Sequence, residues 1–398
     1  AAERAEVQKA WNGVAPRNAE AVAQVTKLEG ELKALDKEIV STPVMQELPD
    51  SKKRVTQVLL KGNFLTKGDT VAPGVPAAFH KPSAGPIDRL AFARWLVSPE
   101  NPMTARVAVN RVWALVFGRG IVESEEDFGI MGSKPTHPEL LDWLATEYIR
   151  LGWDTKALIR LIVLSSVYRQ GARVEPDHHR LDPRNELLSR FPRQRLEAEM
   201  VRDQALAVSG LLSEKRGGPS VYPPQPAGLW QAAFNGERTY PTSTGEDRYR
   251  RGIYSFWRRT VPPPGMQAFD APSRESCTVR RVGSNTPLQA FVTLNDPVFV
   301  ECAQALARRM IREGGESWAS RMERGWVLCL GRAPTPDEKA RLVGLVEAER
   351  QSFASRAAEA AKLAGAGEMP KGANAADVAA ATVAANVLLN LDAFLTRN

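Results

Sequence analysis

The chain has 398 residues, of which 43% are hydrophobic and 25% are charged, and these proportions are typical of a globular protein. The net charge of +7 is small for this length. It fits an anionic partner but does not point to nucleic acid, which we consider an improbable ligand. No stretch approaches the roughly 18 apolar residues that span a bilayer, so we predict no transmembrane segment, and the sequence shows no signal peptide.

Helix-like sequence starts at residue 1 with AAERAEVQKAW, so we expect the sequence to be a piece of a longer chain. Residues 17–40 then carry apolar side chains at steps of three and four, with Lys and Glu between them: Val22, Val25, Leu28, Leu32, Leu35 and Ile39. This spacing predicts a coiled-coil-like helix. Because the helix is short, we expect its partner to be another helix. We assign residues 1–45 to an N-terminal spacer.

Residues 54–396 are predicted to form one mainly α domain with a small β element and a long irregular segment rich in Pro, Gly and Arg. β-branched residues with Gly and Pro over 54–76 predict short strands and an extended loop. We expect the β element to combine 54–72 with 251–258, where RGIYSFWRR alternates like a strand. A helical core is predicted over 86–213, the irregular segment rich in Arg and aromatic residues over 215–285, and further helices over 287–396. Within these ranges the individual predicted helices are 88–98, 103–118, 137–152, 154–170, 193–213, 287–313, 318–330, 336–364 and 375–396.

Several polar groups match helix-start signals better than chemical sites. His137, Glu139 and Asp142 suggest a metal or an acid–base group, but Thr136 and Glu139 also form the T-x-x-E pattern of a capping box, which we favour. Similar starts are predicted at Thr286 with Gln289, at Asp296, and at Thr335 with Glu338. His178 and His179 fall in a predicted polar loop, where adjacent histidines are usually solvated. We predict no metal site.

The three cysteines, Cys277, Cys302 and Cys329, are odd in number and lack metal-ligand spacing, so neither a zinc site nor a disulfide framework is indicated. One pair could still bridge in an oxidising compartment. There is no C-x-x-C-H motif, so we expect no covalent haem on this chain. No phosphate loop and no nucleophile elbow occurs either, and therefore no motif identifies a reaction.

Residues 248–281, which we call the arginine segment, hold eight arginines and only two acids. Aromatic side chains alternate with the arginines, and such a mixture suits an acidic sugar or a single-stranded nucleic acid. Alternatively, the arginines satisfy carbonyls and carboxylates inside an irregular core. Both interpretations stay open for the candidate residues Arg251, Trp257, Arg258, Arg259, Asp270, Arg274, Glu275, Arg280 and Arg281.

Asp270 and Glu275 could in principle be an acid–base pair, but neighbouring arginines would lower their pKa values and remove the acid. We therefore predict no catalytic residue. We expect each carboxylate to be a structural anchor, bonded to arginine or to N–H groups at a helix start. The positions support this, because Pro262, Pro263 and Pro264 force an extended run that must be fixed in place directly afterwards.

Long stretches of the chain resemble one known family. The motifs RLAFARWLVSPENPMTARVAVNRVWALVFGRG, DPRNELLSRFPRQRLEAEMVRDQALAVSGLL, RRGIYSFWRRTVPPP, FDAPSRESCTVRR and NTPLQAFVTLNDPVFVE occur in order. Together they resemble the planctomycete secreted domain, a C-terminal domain of unknown function in large proteins that also carry planctomycete cytochrome c domains. The resemblance covers about residues 54–396. Met103 departs from the family's usual NPLTARV, and RVGSNTPLQAF from its usual RTNTPLQAL.

The resemblance implies a periplasmic, secreted or cell-surface setting, and haem on upstream domains or partner chains. It supplies no catalytic residue. The first functional hypothesis is a non-catalytic module that assembles with upstream domains or neighbouring subunits. The alternative is a protein that binds or processes acidic or sulfated polysaccharide through the arginine segment. Whether the chain is an enzyme stays open.

Overall fold

The computed structural model describes residues 2–14, 19–39, 41–81, 85–233 and 235–397. In these residues it contains seventeen α-helices and two small two-stranded sheets, which confirms a mainly α fold with small β elements. The chain divides into two compact units, residues 1–101 and 102–398. The predicted boundary between a spacer over 1–45 and a domain over 54–396 stays a prediction.

The first unit buries little of its surface. Its elements are α1 (Ala2–Val14), α2 (Ala19–Glu38), the antiparallel strands β1 (Thr56–Leu59) and β2 (Lys67–Val71), and α3 (Arg89–Leu96). Trp95 and Asn101 are the buried side chains among the unit's described residues. The ring of Trp95 stacks on Phe92 and His80, and its indole N–H donates to the His80 carbonyl at 2.9 Å. Residues 17, 18 and 40 of the predicted first helix lie outside the described residues.

The second unit begins with a compact helical core. It comprises α4 (Thr104–Phe117), α5 (Pro138–Arg150) and α6 (Thr155–Val163), and the short helix α7 (Pro176–Leu181), which buries no residue, follows them. Val109, Leu144 and Leu158 are buried at its centre, where apolar side chains recur at helical spacing. The side chain of Asn110 pairs with both the N–H and the C=O of Val122, at 2.8 and 3.0 Å. This pairing satisfies a buried amide and fixes the loop that follows α4.

A larger core occupies the rest of the second unit. The helices of this part of the chain are α8 (Ala198–Ser209), α9 (Leu229–Ala233), α10 (Pro264–Ala268), α11 (Pro287–Asn295), α12 (Pro297–Glu313), α13 (Trp318–Leu330), α14 (Pro336–Ala354), α15 (Ala357–Ala364), α16 (Ala375–Leu389) and α17 (Asp392–Leu395), and all but α9 contribute side chains to the core. Helix α16 is central and contacts α12, α14 and α15. It is apolar on every side, as expected for a helix surrounded by protein.

The chain's end joins the two cores of the second unit. β3 (Gln194–Arg195) pairs antiparallel with β4 (Thr396–Arg397), and Arg397 donates to the Val116 carbonyl at the end of α4 and to the Gln194 side chain. The guanidinium of Arg397 also lies 5.5 Å from the ring centre of Phe191. Because this pairing links residues about 200 positions apart, no local pattern predicts it.

Some predicted elements are wrong. Residues 251–258 form no strand; Gly252–Tyr254 is a 3₁₀ turn, and the pairing in and next to this range is limited to three isolated bridges, Ser213 with Arg250, Val221 with Ser255 and Arg258 with Val261. His178 and His179 lie on the short helix α7 and not in a loop. The predicted helix over 287–313 is interrupted at Asp296, which ends α11 and caps α12.

The four predicted helix starts have different outcomes. Thr335 and Glu338 form a complete capping box, and Asp296 caps α12 through the Val298 N–H at 2.9 Å. Thr286 occupies the cap position of α11 without a side-chain bond. The box at Thr136 is wrong, since its hydroxyl donates to the distant Ile121 carbonyl and His137 takes the cap position of α5.

Candidate functional site

Helix α2 displays an apolar stripe that nothing in the described chain covers. No residue of α2 is buried. Its large apolar side chains, with that of Ile39 just beyond the helix, are 41–68% exposed. We call this set the α2 surface: Val22, Val25, Leu28, Leu32, Leu35 and Ile39. In a heptad frame, Val25, Leu32 and Ile39 take the a positions, and Leu28 and Leu35 the d positions.

Along the apolar seam of α2, the acidic and the basic side chains lie on different faces of the helix. The e and g positions that flank the seam at Leu28, Leu32 and Leu35 are all acidic: Glu29, Glu31, Asp36 and Glu38. The helix's three cations, Lys27, Lys33 and Lys37, lie at the c, b and f positions, away from the seam. One bridge crosses between the two groups, from Lys27 to Glu31 at 3.8 Å. The α2 surface is therefore an apolar seam with acidic borders.

The arginine segment is fastened to α8 at both of its ends. At its start, Asp203 accepts from Arg251 Nε at 2.8 Å and from the Gly252 N–H at 2.6 Å. Arg202 donates to the carbonyls of Arg248 and Arg250 at 2.9 and 3.4 Å. A Cβ on Gly252 would lie 2.9 Å from the Cα of Glu199, so this close approach to α8 requires glycine.

At its end, the segment is held by Arg281. Its guanidinium grips the Glu199 carboxylate with bonds of 2.5 and 3.0 Å, and lies 3.3 Å from Glu197. Burial opposes ionisation of Glu199, but the hydrogen bonds from Arg281, a backbone N–H bond and the charges of Arg281 and Arg274 together outweigh it, so the pKa of this carboxyl lies below its usual range. Arg251 and Arg281 thus hold the two ends of the arginine segment against α8 through ion pairs.

Arg250, which is absent from the predicted site, is the most deeply buried arginine of the segment. Its side chain is 1% exposed and lies 3.8 Å from the ring centre of Tyr254. Its guanidinium donates to the carbonyls of Pro219, Lys215 and Gly217. These carbonyls belong to an irregular loop without ladder partners, so Arg250 supplies the donors that a regular element would provide. Arg250 therefore fits the second interpretation of the arginines, in which they satisfy carbonyls inside an irregular core.

Between its two ends, the segment carries exposed cations. The guanidinium of Arg274 lies 4.8 Å from the ring centre of Trp257, whose indole N–H donates to the Ser273 carbonyl at 3.3 Å. Arg258 lies near Trp230, at 5.7 Å from its ring centre, and contacts the Thr260 hydroxyl at 3.3 Å. Arg259 and Arg280 are exposed and make no hydrogen bond or ion pair with the residues that the structure describes.

The two carboxylates of the segment have separate environments. Asp270 accepts from the Ser284 N–H at 2.7 Å, from the Ser284 hydroxyl at 2.8 Å and from Gln289 at 3.3 Å. It anchors the approach to α11, but its hydrogen-bond partners are neither the arginines nor the helix-start N–H groups that the sequence predicted. Glu275 is exposed, and its carboxylate bonds to none of the described residues, so the anchor role predicted for it is wrong. The structure does not bring the predicted arginines together around this pair.

Sequence reasoning missed a pocket that the irregular segment closes over α8 and α12. Pro223, Tyr240 and Phe269 help to line it, and the polar groups that face it include Arg202, Ser255 and Asp296. The hydroxyl of Ser255 and Nε of Arg202 are buried and have no bond within the described structure. Burial raises the pKa of Asp296 above its usual range. The free space is about 50 Å³, enough for water but not for an organic ligand.

Two negative findings apply to the described residues. No group of three or more His, Cys, Asp and Glu is placed to hold a metal ion there. No described helix is long and apolar enough to cross a membrane. The three cysteines are unpaired, with Cys277 exposed and the other two buried.

Comparison with known proteins gives one match. The family model described as PSD1, protein of unknown function (DUF1553), matches residues 88–346, which is more than half of the chain. Neither the curated proteins nor the solved structures contain a match to this chain.

Proposed function

The chain belongs to the PSD1 family of proteins of unknown function, and from this premise we propose that it is a non-catalytic module that joins a larger assembly through the α2 surface. The observation that carries the proposal is the exposure of every large apolar side chain in the stripe on α2. A helix of 20 residues that buries no side chain draws little stability from the fold. Packing of the stripe on a partner would supply it.

The charges select the kind of partner. In a parallel pair of α2 helices, Glu31 of one copy would face Asp36 of the other, and an antiparallel pair would set g against g and e against e. Every such contact around the middle of the seam joins two acids. A second copy of this chain is therefore disfavoured, and the partner is a helix with an apolar seam bordered by Lys or Arg.

The partner's chemistry can be tested with two synthetic helices. Both carry the same Leu and Ile seam; one has Lys at every e and g position and the other has Glu. We expect the chain to bind the lysine helix, more weakly as salt rises, and not the glutamate helix. Sedimentation should show the chain alone to be monomeric. Self-association that Leu28→Asn and Leu32→Asn abolish would replace our partner by a second copy.

The natural partner can be identified by crosslinking in cells that make the protein. A photoreactive residue replaces Leu28 on the seam or, as the control, Lys33 on the opposite face. We expect crosslinks from position 28 only, to a segment whose apolar residues recur at steps of three and four between cations. Equal crosslinking from both positions, or capture of an acidic or non-helical segment, would refute the proposal.

We further propose the setting that the family resemblance implies: outside the cytoplasm, with haem on upstream domains or partner chains. The support is the ordered set of motifs shared with the planctomycete secreted domain. Cell fractionation and haem staining of the crosslinked partner are the direct tests. Recovery of the protein only from cytoplasm would contradict the setting without touching the helix-pairing proposal.

A second candidate function, the binding of acidic or sulfated polysaccharide, is favoured by the exposed part of the arginine segment. Arg259 and Arg280 form no ion pair in the described structure, although the charge of Arg280 acts on Glu123 and Glu125, and Trp257 offers an aromatic face beside Arg274. Retention of the chain on dextran sulfate, but not on dextran, would support it. Loss of retention in the double variant Arg259→Gln and Arg280→Gln should follow; unchanged retention would dismiss the segment as the site.

A further inference from the structure

A polar cleft in the second unit has room for a small molecule. It lies between the C-terminal end of α8, helix α12 and the loop after α15, and its free volume is about 440 Å³. Ligand sites in proteins commonly measure roughly 300–1,000 Å³. Polar side chains from the arginine segment and from α12 line this cleft: Tyr249, Glu301, Gln304, Arg308 and Arg312.

Glu301, the one acid in the cleft's lining, is already neutralised. Its carboxylate accepts two bonds from Arg248 Nε, at 3.0 and 3.1 Å, and one from the Tyr249 hydroxyl at 2.8 Å. Burial, reinforced by Glu301, raises the pKa of Tyr249 above its usual value, so this hydroxyl stays a donor. No acid of the lining is left to balance further positive charge.

Two more cations face the cleft without a carboxylate. Arg308 is 7% exposed and donates only to carbonyls, among them Ala364 at 2.6 Å, Gln304 at 3.1 Å and Glu368 at 3.2 Å. Carbonyls solvate a guanidinium but do not cancel its charge. Burial lowers the pKa of Arg308, and the neighbouring charge of Arg312 lowers it further.

Arg312 differs from Arg308 because its guanidinium donates to no carbonyl of the described chain. It is exposed, and it makes no hydrogen bond or ion pair with the described residues. It follows Arg308 by one helical turn, so two like charges occupy the same face of α12, an arrangement that destabilises a helix. A bound anion would remove this repulsion.

We propose that the cleft binds a small organic anion that carries hydroxyl groups, such as a sugar acid or a sugar phosphate. Its anionic group pairs with Arg312 in the field of Arg308. Its hydroxyls donate to Gln304, whose amide oxygen has no hydrogen bond in the described structure, and to Glu301. The ring of Tyr249 provides an apolar wall. This site is independent of the α2 surface and of the exposed arginines.

Calorimetric titration of the full chain tests the proposal with four probes: glucuronate, glucose 6-phosphate, glucose and inorganic phosphate. We expect one or both of the sugar anions to bind and to raise the melting temperature, and glucose and inorganic phosphate to bind far more weakly. The preference between glucuronate and glucose 6-phosphate identifies the anionic group. Binding of inorganic phosphate as strong as that of glucose 6-phosphate would overturn the role of the hydroxyls, and no binding of either sugar anion would overturn the site.

The variant Arg312→Gln tests whether the ligand binds in the cleft. It should weaken binding at least about tenfold, since it removes a charge-assisted bond, and it should slightly raise the melting temperature of the unliganded chain. The control Arg259→Gln removes an equally exposed charge outside the cleft and should change neither. If Arg259→Gln weakens binding and Arg312→Gln does not, the ligand sits on the arginine segment and our assignment is wrong.

Discussion

Helices α2 and α16 show two ways of using apolar residues. Helix α16 buries ten of its fifteen residues and carries a single charged side chain, Asp377. Helix α2 has twenty residues, buries none, and alternates large apolar side chains with charges. The first is completed by α12, α14 and α15, whereas the second is completed by nothing in the described chain. Apolar groups with a partner inside the chain thus differ from apolar groups that have none in the described chain.

The same distinction applies to polar groups. Arg250, Asp270 and Glu199 have internal partners, while Arg259, Glu275 and Arg312 have none in the described structure. Each pair of matched substitutions should therefore distinguish residues that stabilise the fold from residues that are available for binding. Substitution of the internally partnered member should cost stability, and substitution of the other should not.

The largest separation is expected for leucine. Leu388 on α16 is fully buried, so Leu388→Ala leaves a cavity and should lower the free energy of unfolding by about 2–5 kcal/mol. Leu32→Ala on α2 removes an exposed side chain and should change it by less than about 0.5 kcal/mol. Chemical denaturation of both variants measures the difference. A large loss for Leu32→Ala would show that α2 has an internal partner after all.

The next separation concerns arginine. Arg250→Gln leaves carbonyls of residues 215–219 without donors in a buried site, and we expect a loss of about 2–3 kcal/mol. Arg259→Gln should leave the free energy of unfolding within about 0.5 kcal/mol of the wild type. Thermal unfolding by circular dichroism is sufficient for both. Equal losses would mean that exposure does not distinguish these two arginines.

Arg250 and Arg259 also show where sequence reasoning stops. Both lie in one arginine-rich segment, and their local sequence does not reveal which of them is buried. The mainly α class and the caps at Asp296 and Thr335 were predictable, because helix periodicity and capping bonds span only two to four residues. The capping box predicted at Thr136 is wrong because a long-range contact replaces the local one. The Thr136 hydroxyl donates to the Ile121 carbonyl, fifteen residues away.

Long-range partners explain the other misses as well. The cleft at Arg308 and Arg312 is assembled from α8, α12 and the loop after α15, and the pocket at Arg202 from α8, α12 and the irregular segment. No spacing in the sequence brings such groups together. The α2 surface was predictable as a stripe, but its lack of cover within the chain was not.

A smaller separation is expected between the two carboxylates of the arginine segment. Asp270→Asn replaces an acceptor of the Ser284 N–H and hydroxyl with an amide that accepts through one oxygen only, and should cost about 1–2 kcal/mol. Glu275→Gln should change the free energy of unfolding by less than about 0.5 kcal/mol. The two variants are compared by urea denaturation. A clear loss for Glu275→Gln would restore the anchor role that the sequence predicted.

The smallest effect concerns Asp296, where burial and capping oppose each other. Burial raises the pKa of this carboxyl in the folded chain, against the lowering effects of the Val298 N–H and Arg202. The folded state therefore favours the protonated form. The stabilisation that protonated Asp296 gives the folded state is fully present below the pKa that this carboxyl has in the unfolded chain. It is lost as the pH rises through the pKa that the carboxyl has in the folded chain. At neutral pH the protein bears the cost of an ionised, half-buried carboxylate.

Asparagine keeps the cap without the charge, so Asp296→Asn should raise the free energy of unfolding at pH 7 by about 0.5 kcal/mol. The gain should shrink as pH falls, because the wild-type carboxyl then becomes neutral too. Asp154, the exposed cap of α6 that accepts from Lys156 and Ala157, is the matched control, and Asp154→Asn should give no gain. Urea denaturation of both variants at pH 7 and pH 4 measures the effect. A gain at Asp296 that persists unchanged at pH 4 would exclude burial of the charge as its cause, since only the charged form is penalised by burial.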